Sequence, residues 1–128
     1  MMCDELDDTY QLLLRRSSEK WGLDYVHEEA IPITEVLKAE DGARRNQIQL
    51  FEFNDKWGFC LCINGRKRGV IYGAFLKFCN PYPTRDEALR AALERVAEIG
   101  ADDSFLLKWV AGLRADLLQP RLFREAEY

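Results

Sequence analysis

The residues best suited to chemistry in this chain are one histidine, His27, and four cysteines, Cys3, Cys60, Cys62 and Cys79. Cys60 and Cys62 alternate along a predicted strand, so both sulfurs lie on one face, and Cys79 ends the next predicted strand. Three thiolates and an imidazole are a ligand set that zinc accepts. Structural zinc sites usually draw on C-x-x-C knuckles, however, and none occurs here. The sequence therefore favours buried, reduced thiols, with no metal and no disulfide.

The residue available as a general base is His27, which precedes Glu28 and Glu29. A catalytic histidine needs a nucleophile or an acid within hydrogen-bond reach, and no motif places one there. The sequence contains no G-x-S-x-G elbow, phosphate-binding loop, dinucleotide fingerprint or H-E-x-x-H pair. We therefore expect a protein that is not an enzyme, has no catalytic residues and takes no cofactor. An enzyme with scattered catalytic residues around His27 is the last alternative.

Basic side chains cluster around a predicted hairpin turn and could contact phosphates. Arg66, Lys67 and Arg68 follow that turn, and a further pair precedes the first predicted strand. With Lys77 and Arg85 they would form a basic rim, interleaved with Trp57, Phe59, Tyr72 and Phe75. The chain has 22 acidic and 18 basic residues and a net charge of −4, which disfavours simple electrostatic adhesion to nucleic acid. Alternatively, the charged tip is an ordinary solvated turn.

The last predicted helix is apolar over more than a narrow stripe. Such a helix is either deeply buried or binds another surface. A partly exposed apolar face centred on a tryptophan, here Trp109, is typical of protein interfaces, including homodimers. We therefore assign partner binding to polar contacts from the hairpin tip and apolar contacts from this helix, which means Arg66, Lys67, Arg68, Phe105, Trp109 and Leu113.

The elements that would position these residues begin with an amphipathic helix over Asp7–Trp21, which Gly22 can end. The next segment gives mixed signals. It is consistent with a strand at Leu23–Val26, a break at Pro32 and a short helical stretch around Thr34–Ala39.

The centre of the sequence predicts an antiparallel meander. Strands over Gln47–Phe53 and Lys56–Ile63 are joined by a tight Asn54-Asp55 turn, and an Asn64-Gly65 turn leads to a third strand over Gly69–Phe78. Both faces of the second strand are apolar, which predicts a central strand covered on both sides.

Two helices complete the predicted domain. Thr84 opens the first with a capping box, Gly100 ends it, and Pro120 stops the second, leaving residues 121–128 as a loose tail. The sequence thus predicts one domain over 1–128 of the α+β class: a three-stranded antiparallel meander packed with an N-terminal helix and two C-terminal helices. Because neither a secretory signal nor a membrane-spanning apolar run is recognisable, we expect a cytoplasmic protein.

The segment Trp57 to Val96 resembles a recurring pattern in small proteins of plasmids and phages. That pattern is a Trp-containing strand, a Gly-rich hairpin, a Pro-containing stretch and T-x-x-E-A-L-x-x-A-L, here Thr84 to Leu93. The order of sheet and helix also resembles the arm-binding domains of tyrosine-type integrases, although their sheets are basic and the central strand here is apolar. The size class is similar to mobile-element accessory proteins, among them anti-CRISPR proteins. This resemblance implies an inhibitor that occupies a nucleoprotein surface.

These observations lead to one interpretation and one main alternative. The first is a non-enzymatic binding protein, a mobile-element accessory inhibitor that sterically blocks a partner protein or nucleoprotein complex. A homodimer through the last helix would use the same apolar residues. The alternative is a nucleic-acid-binding regulator that uses the basic hairpin rim. Neither involves a membrane.

Overall fold

The computed structural model describes residues 2–118, with the side chains of residues 8–118; the predicted stop at Pro120 and the predicted tail 121–128 lie outside the described residues. The elements in chain order are helix α1 (Met2–Lys20), strands β1 (Glu35–Asp41), β2 (Arg44–Phe53), β3 (Lys56–Asn64) and β4 (Gly69–Ile71), a short 3-10 helix (Leu76–Phe78), and helices α2 (Arg85–Ile99) and α3 (Ser104–Leu118).

The strands form one antiparallel sheet in the order β1-β2-β3-β4, with one helix before the sheet and two after it. The predicted α+β class and the predicted meander are therefore confirmed. The tight turn between β2 and β3 is confirmed as well, since Asn54 and Asp55 have φ values of 52° and 61°. Both residue types tolerate this left-handed region.

The sheet has an additional strand because the segment predicted as helical around Thr34–Ala39 is β1. It pairs with β2 in a continuous register from Glu35 opposite Leu50 to Asp41 opposite Arg44. Gly42, at a φ of 63°, makes the turn between them. Helix propensity over so short a stretch is weak, and a neighbouring strand with open hydrogen-bonding groups overrides it.

The third predicted strand is shorter than expected. After the backbone N–H of Tyr72 donates to the carbonyl of Leu61, the chain leaves the edge of the sheet and folds across one face. Ile31 then donates its N–H to the carbonyl of Ala74. No strand forms at Leu23–Val26 either; Leu23 and Ile31 pack instead in the core on this face.

One face of the sheet packs against α2 and α3 to form the larger core. Thr84 caps α2 as predicted, because its hydroxyl accepts the N–H of Glu87 at 3.2 Å. The buried side of α2 comprises Ala88, Leu89, Ala92, Leu93 and Val96. It meets the sheet residues Ile48, Leu50, Leu61 and Ile63.

The other face is covered in part by a smaller core around Trp21, which follows α1. The Trp21 ring is fully buried, lies 5.7 Å from the Phe51 ring, and donates its Nε1–H to the carbonyl of Cys79 at 3.2 Å. Gly58 of β3 is required here, because a Cβ atom would lie 2.9 Å from Trp21 and 2.5 Å from Phe51. The central strand is thus covered on both faces at this end, as predicted.

The same face is more open farther along the sheet. Lys38, Gln47, Cys62 and Ile71 lie side by side in one cross-strand row, and Ile71 is 80% exposed. Across residues 2–118, no helix has both the length and the apolar character needed to cross a membrane.

Candidate partner-binding surface

Asp103 joins the hairpin tip to the start of α3. Its carboxylate accepts the backbone N–H of Arg66 at 3.0 Å with one oxygen, and the N–H groups of Phe105 and Leu106 at 3.1 and 3.3 Å with the other. Burial alone would raise the pKa of Asp103, but these backbone donors lower it below its ordinary value. One charged side chain therefore caps α3 and fixes the tip beside it.

The tip is consequently a loop over residues 65–68 and not the two-residue turn expected at Asn64-Gly65. Neither residue has positive φ, and Asn64 still pairs with Gly69. The N–H of Arg66 turns toward Asp103, which the isolated hairpin sequence could not indicate. The Asn-Gly prediction is wrong because a tertiary contact decides the loop geometry.

The predicted basic clusters do meet at this end of the sheet. Arg44 and Arg66 each approach Asp41 at 3.9 Å, and Lys67 approaches Asp102 at 3.9 Å. These pairs are long and exposed, so each stabilises the protein by less than about 1 kcal/mol. The side chains of Arg66 and Lys67 are 61% and 73% exposed and remain available to a partner.

The prediction of a wider basic rim that includes Lys77 and Arg85 is wrong. Arg85 forms two short hydrogen bonds to Glu35, at 2.7 and 2.9 Å, and Glu35 lies at the end of β1 opposite to Asp41. Lys77 lies over the rings of Tyr10 and Phe78, at 4.9 and 5.2 Å from their centroids. Both cations are therefore engaged elsewhere and do not extend the basic surface of the hairpin tip.

Few of the apolar side chains of helix α3 are completely buried. Leu106 and Val110 are its fully buried residues, while Leu107 and Leu118 are 40% and 77% exposed. The remaining large apolar side chains pack against the core with part of their surface and stay half-buried; they are Phe105, Trp109, Leu113 and Leu117. The predicted residues Phe105, Trp109 and Leu113 are thus part core and part accessible surface.

Polar groups border this apolar surface. Lys108 and Arg114 are exposed on α3 itself. Arg114 also lines a groove of about 320 Å³ between α2 and α3, together with Arg90, Glu94, Leu117 and Leu118. At the other end of the helix, Asp103 holds the hairpin tip in place. We call α3 and the tip residues Arg66, Lys67 and Arg68 the α3–tip surface.

Of the residues considered for chemistry, Cys60 and Cys79 share the smaller core. His27 packs 4.9 Å from the Phe53 ring, and its buried Nε2 has no hydrogen-bond partner among the described residues. Burial raises the pKa of Cys60 to about 11 and that of Cys79 to about 12, so both are protonated at neutral pH. Within residues 8–118, His, Cys, Asp and Glu side chains form no group of three that could hold a metal ion.

Sequence reasoning missed a cleft on the outer side of α2. Its lining includes Tyr72 and Tyr82 from the chain and Ala91, Arg95 and Glu98 from the helix. The helical spacing of 91, 95 and 98 was a usable signal for a face that does not enter the core. A scan against protein-family models found no match, and searches of curated proteins and of solved structures also found none.

Proposed function

We propose that the protein is a non-enzymatic binding protein that covers an acidic region of a partner protein or nucleoprotein complex with its α3–tip surface. The observation that carries this proposal is the half-burial of Phe105, Trp109 and Leu113 on a helix whose first turn is fixed to the exposed basic tip by Asp103. The apolar side chains of α3 and the basic residues of the tip are thereby held in a fixed relative position.

The composition of this surface suits an interface. Tryptophan and arginine are enriched among interface residues whose truncation costs about 2 kcal/mol or more of binding free energy. A loss of this size lowers the affinity by about a factor of 30. Trp109 is already held by core contacts, so little rotamer entropy remains to be lost when a partner covers the rest of its ring.

The charges around the apolar residues favour an acidic partner. Arg66, Lys67 and Arg68 are exposed at the tip, and Lys108 and Arg114 are exposed along α3. The chain as a whole has a net charge of −4, so this basic region stands against an acidic background. Complementary charge would accelerate association and orient the partner.

The resemblance to mobile-element proteins suggests what such a partner would be. An anti-CRISPR-like inhibitor acts by occupying a surface of a defence complex, and a rigid patch of apolar and basic groups is suited to that mode. The proposed role is therefore steric: an accessory inhibitor that needs no catalytic residue of its own.

Charge reversal with a matched control tests the proposal. The double variant Lys67→Glu, Arg68→Glu reverses the tip, and Arg15→Glu, Arg16→Glu makes the same charge change on exposed positions of α1. Each purified protein is used for affinity capture from host cells, followed by quantitative mass spectrometry. We expect a partner that is captured by the unmodified protein and by the α1 variant and lost by the tip variant. Equal capture by both variants would refute the α3–tip surface.

Nucleic-acid binding is the second candidate, favoured by Arg45 and Arg68, which are exposed near the tip and form no ion pair among the described residues. Binding to duplex and single-stranded oligonucleotides would then weaken steeply with salt. The first proposal predicts no tight binding to isolated oligonucleotides, because its affinity depends on the apolar side chains of α3 together with the basic tip. Sedimentation velocity distinguishes a homodimer formed by the same helix.

A further inference from the structure

The cleft on the outer side of α2 has a volume of about 300 Å³ and contains several aromatic rings. Phe59, Tyr72, Phe78 and Tyr82 all contribute to its lining. The rings of Phe59 and Tyr82 stack with their centroids 6.0 Å apart. No residue of the α3–tip surface lines this cleft, although Glu94 also lines the groove beside α3, and the cleft has no part in the function proposed above.

The backbone holds two of these rings in place. Tyr82 exchanges two hydrogen bonds with Trp57, at 2.7 and 2.8 Å, which fixes it beside β3. Tyr72 donates its N–H to the carbonyl of Leu61 at 3.1 Å. Burial raises the pKa of both phenols, with Asn80 partly opposing the rise at Tyr82 by a hydrogen bond. Both rings are therefore neutral, and their faces carry the negative quadrupole that attracts cations.

The exposed carboxylate of Glu94 lies at the same place. Arg95 bonds to Glu98 at 3.1 Å, which neutralises that pair. Glu94 also lines the cleft, and its charge contributes to the raised pKa of Tyr82, after burial. Within residues 8–118, Glu94 has no ion pair, although Arg90 and Arg114 share with it the groove on the other side of α2.

The chain itself places ammonium groups against two lining residues. Lys20 Nζ donates to the Asn80 side-chain oxygen at 3.3 Å, and Lys77 Nζ lies 5.2 Å from the centroid of the Phe78 ring. The Asn80 oxygen and the Phe78 ring are thus each within interaction distance of an ammonium group of the chain itself. Neutral aromatic faces combined with one free carboxylate are the usual recognition chemistry for such a group.

We infer that this cleft binds an alkylammonium group, through the rings of Tyr72 and Tyr82 and the carboxylate of Glu94. The group can belong to a small organic amine or to a lysine side chain of another protein, since both present the same cation. The cleft should therefore bind a cation more tightly than a neutral molecule of the same shape.

Three probes test it on the full chain by NMR titration. Choline is compared with 3,3-dimethylbutan-1-ol, its neutral isostere, and with N-acetyl-lysine methylamide. We expect saturable shifts confined to the cleft for a cation, and binding of the isostere weaker by about tenfold or more. Stronger binding of choline indicates a small amine, and stronger binding of the lysine probe indicates a protein partner. Equal binding of choline and its isostere, or no saturable shift with either cation, would overturn the proposal.

Variants of α2 sharpen the test because they change charge with little effect on folding. Glu94→Gln should weaken cation binding by about tenfold, whereas Glu40→Gln on the exposed side of β1 should leave it unchanged. Arg95→Gln frees Glu98 and should strengthen cation binding. Weaker binding in Arg95→Gln, with the unfolding midpoint unchanged, would show that the carboxylates do not provide the recognition.

Discussion

Replacing Asp103 with alanine tests the junction that holds the hairpin tip to α3. The side chain is 95% buried, since its relative exposure is 5%, and its carboxylate accepts three backbone N–H groups. Loss of a helix N-cap costs about 1 kcal/mol. Leaving the partly buried N–H of Arg66 without an acceptor costs about a further 1–3 kcal/mol. We therefore expect Asp103→Ala to lower the free energy of unfolding by about 3 kcal/mol.

The assay is urea denaturation followed by tryptophan fluorescence at pH 7, with Asp102→Ala as the control. Asp102 is exposed and makes one long ion pair to Lys67, so its removal should cost less than about 1 kcal/mol. If the two variants lose equal stability, Asp103 is not the junction. Hydrogen exchange adds a local readout, because the Arg66 amide should exchange much faster in Asp103→Ala.

The stabilisation that Asp103 provides should depend on pH. The pKa of Asp103 is lower in the folded protein, so its stabilisation is fully present above the ordinary aspartate pKa and is lost as pH falls through the lowered folded value. The difference in stability between the wild-type protein and Asp103→Asn should therefore stay constant near neutral pH and narrow as pH falls below the ordinary aspartate pKa of about 4 toward the lowered folded value. A difference that stays constant over this range would show that the charge of Asp103 has no role.

Three further predictions concern other parts of the fold. Gly58→Ala should cost about 1–3 kcal/mol, because the new Cβ atom would meet the Phe51 ring at 2.5 Å, and urea denaturation measures it. Thr84→Ala should cost about 1 kcal/mol through loss of the α2 cap, measured in the same way. Glu35→Gln should cost about 1 kcal/mol or less, since its partner Arg85 is partly exposed. The Arg85 hydrogen bond lowers the pKa of Glu35, so this last effect should vanish in acid.

Each of these predictions has an outcome that contradicts it. Unchanged stability of Gly58→Ala would mean that the contact between Trp21 and Phe51 is not tightly packed. Recovery of full stability by Thr84→Ser is expected, and failure to recover would point to a role of the methyl group instead of the cap. A stability loss in Glu35→Gln that does not decrease as pH falls below the ordinary glutamate pKa would exclude its carboxylate charge as the cause.

Local signals predicted the parts of the fold that local interactions determine. The α2 cap at Thr84 and the apolar stripe behind it are contained in one short stretch of sequence, and the Asn54-Asp55 turn needs no distant partner. The apolar character of both faces of β3 likewise predicted a central position in the sheet, because few other environments accommodate it.

Elements that depend on distant residues were not predictable in this way. Strand β1 exists because β2 offers it a partner, and its own residues carry only weak helical preference. The loop 65–68 has its shape because Asp103, far along the chain, accepts the Arg66 amide. Arg85 lies outside the predicted rim because Glu35, at the opposite end of β1, accepts two hydrogen bonds from it.

The sequence indicated the predicted binding residues but not what brings them together. The apolar width of α3 and the charge of the hairpin tip are both visible in the sequence, but their connection through Asp103 is not. The cleft was missed because Tyr72 and Tyr82 lie outside the helices and strands, in segments that approach α2 only in the folded chain.

Site-specific photo-crosslinking tests the proposed α3–tip surface most directly. p-Benzoylphenylalanine is placed at Leu107, which is 40% exposed on α3, or at Tyr25, which is 55% exposed in the segment that follows α1. Irradiation in host cells should give a covalent adduct to one defined partner from position 107 and none from position 25. An adduct to the same partner from position 25 alone would contradict the assignment of binding to α3.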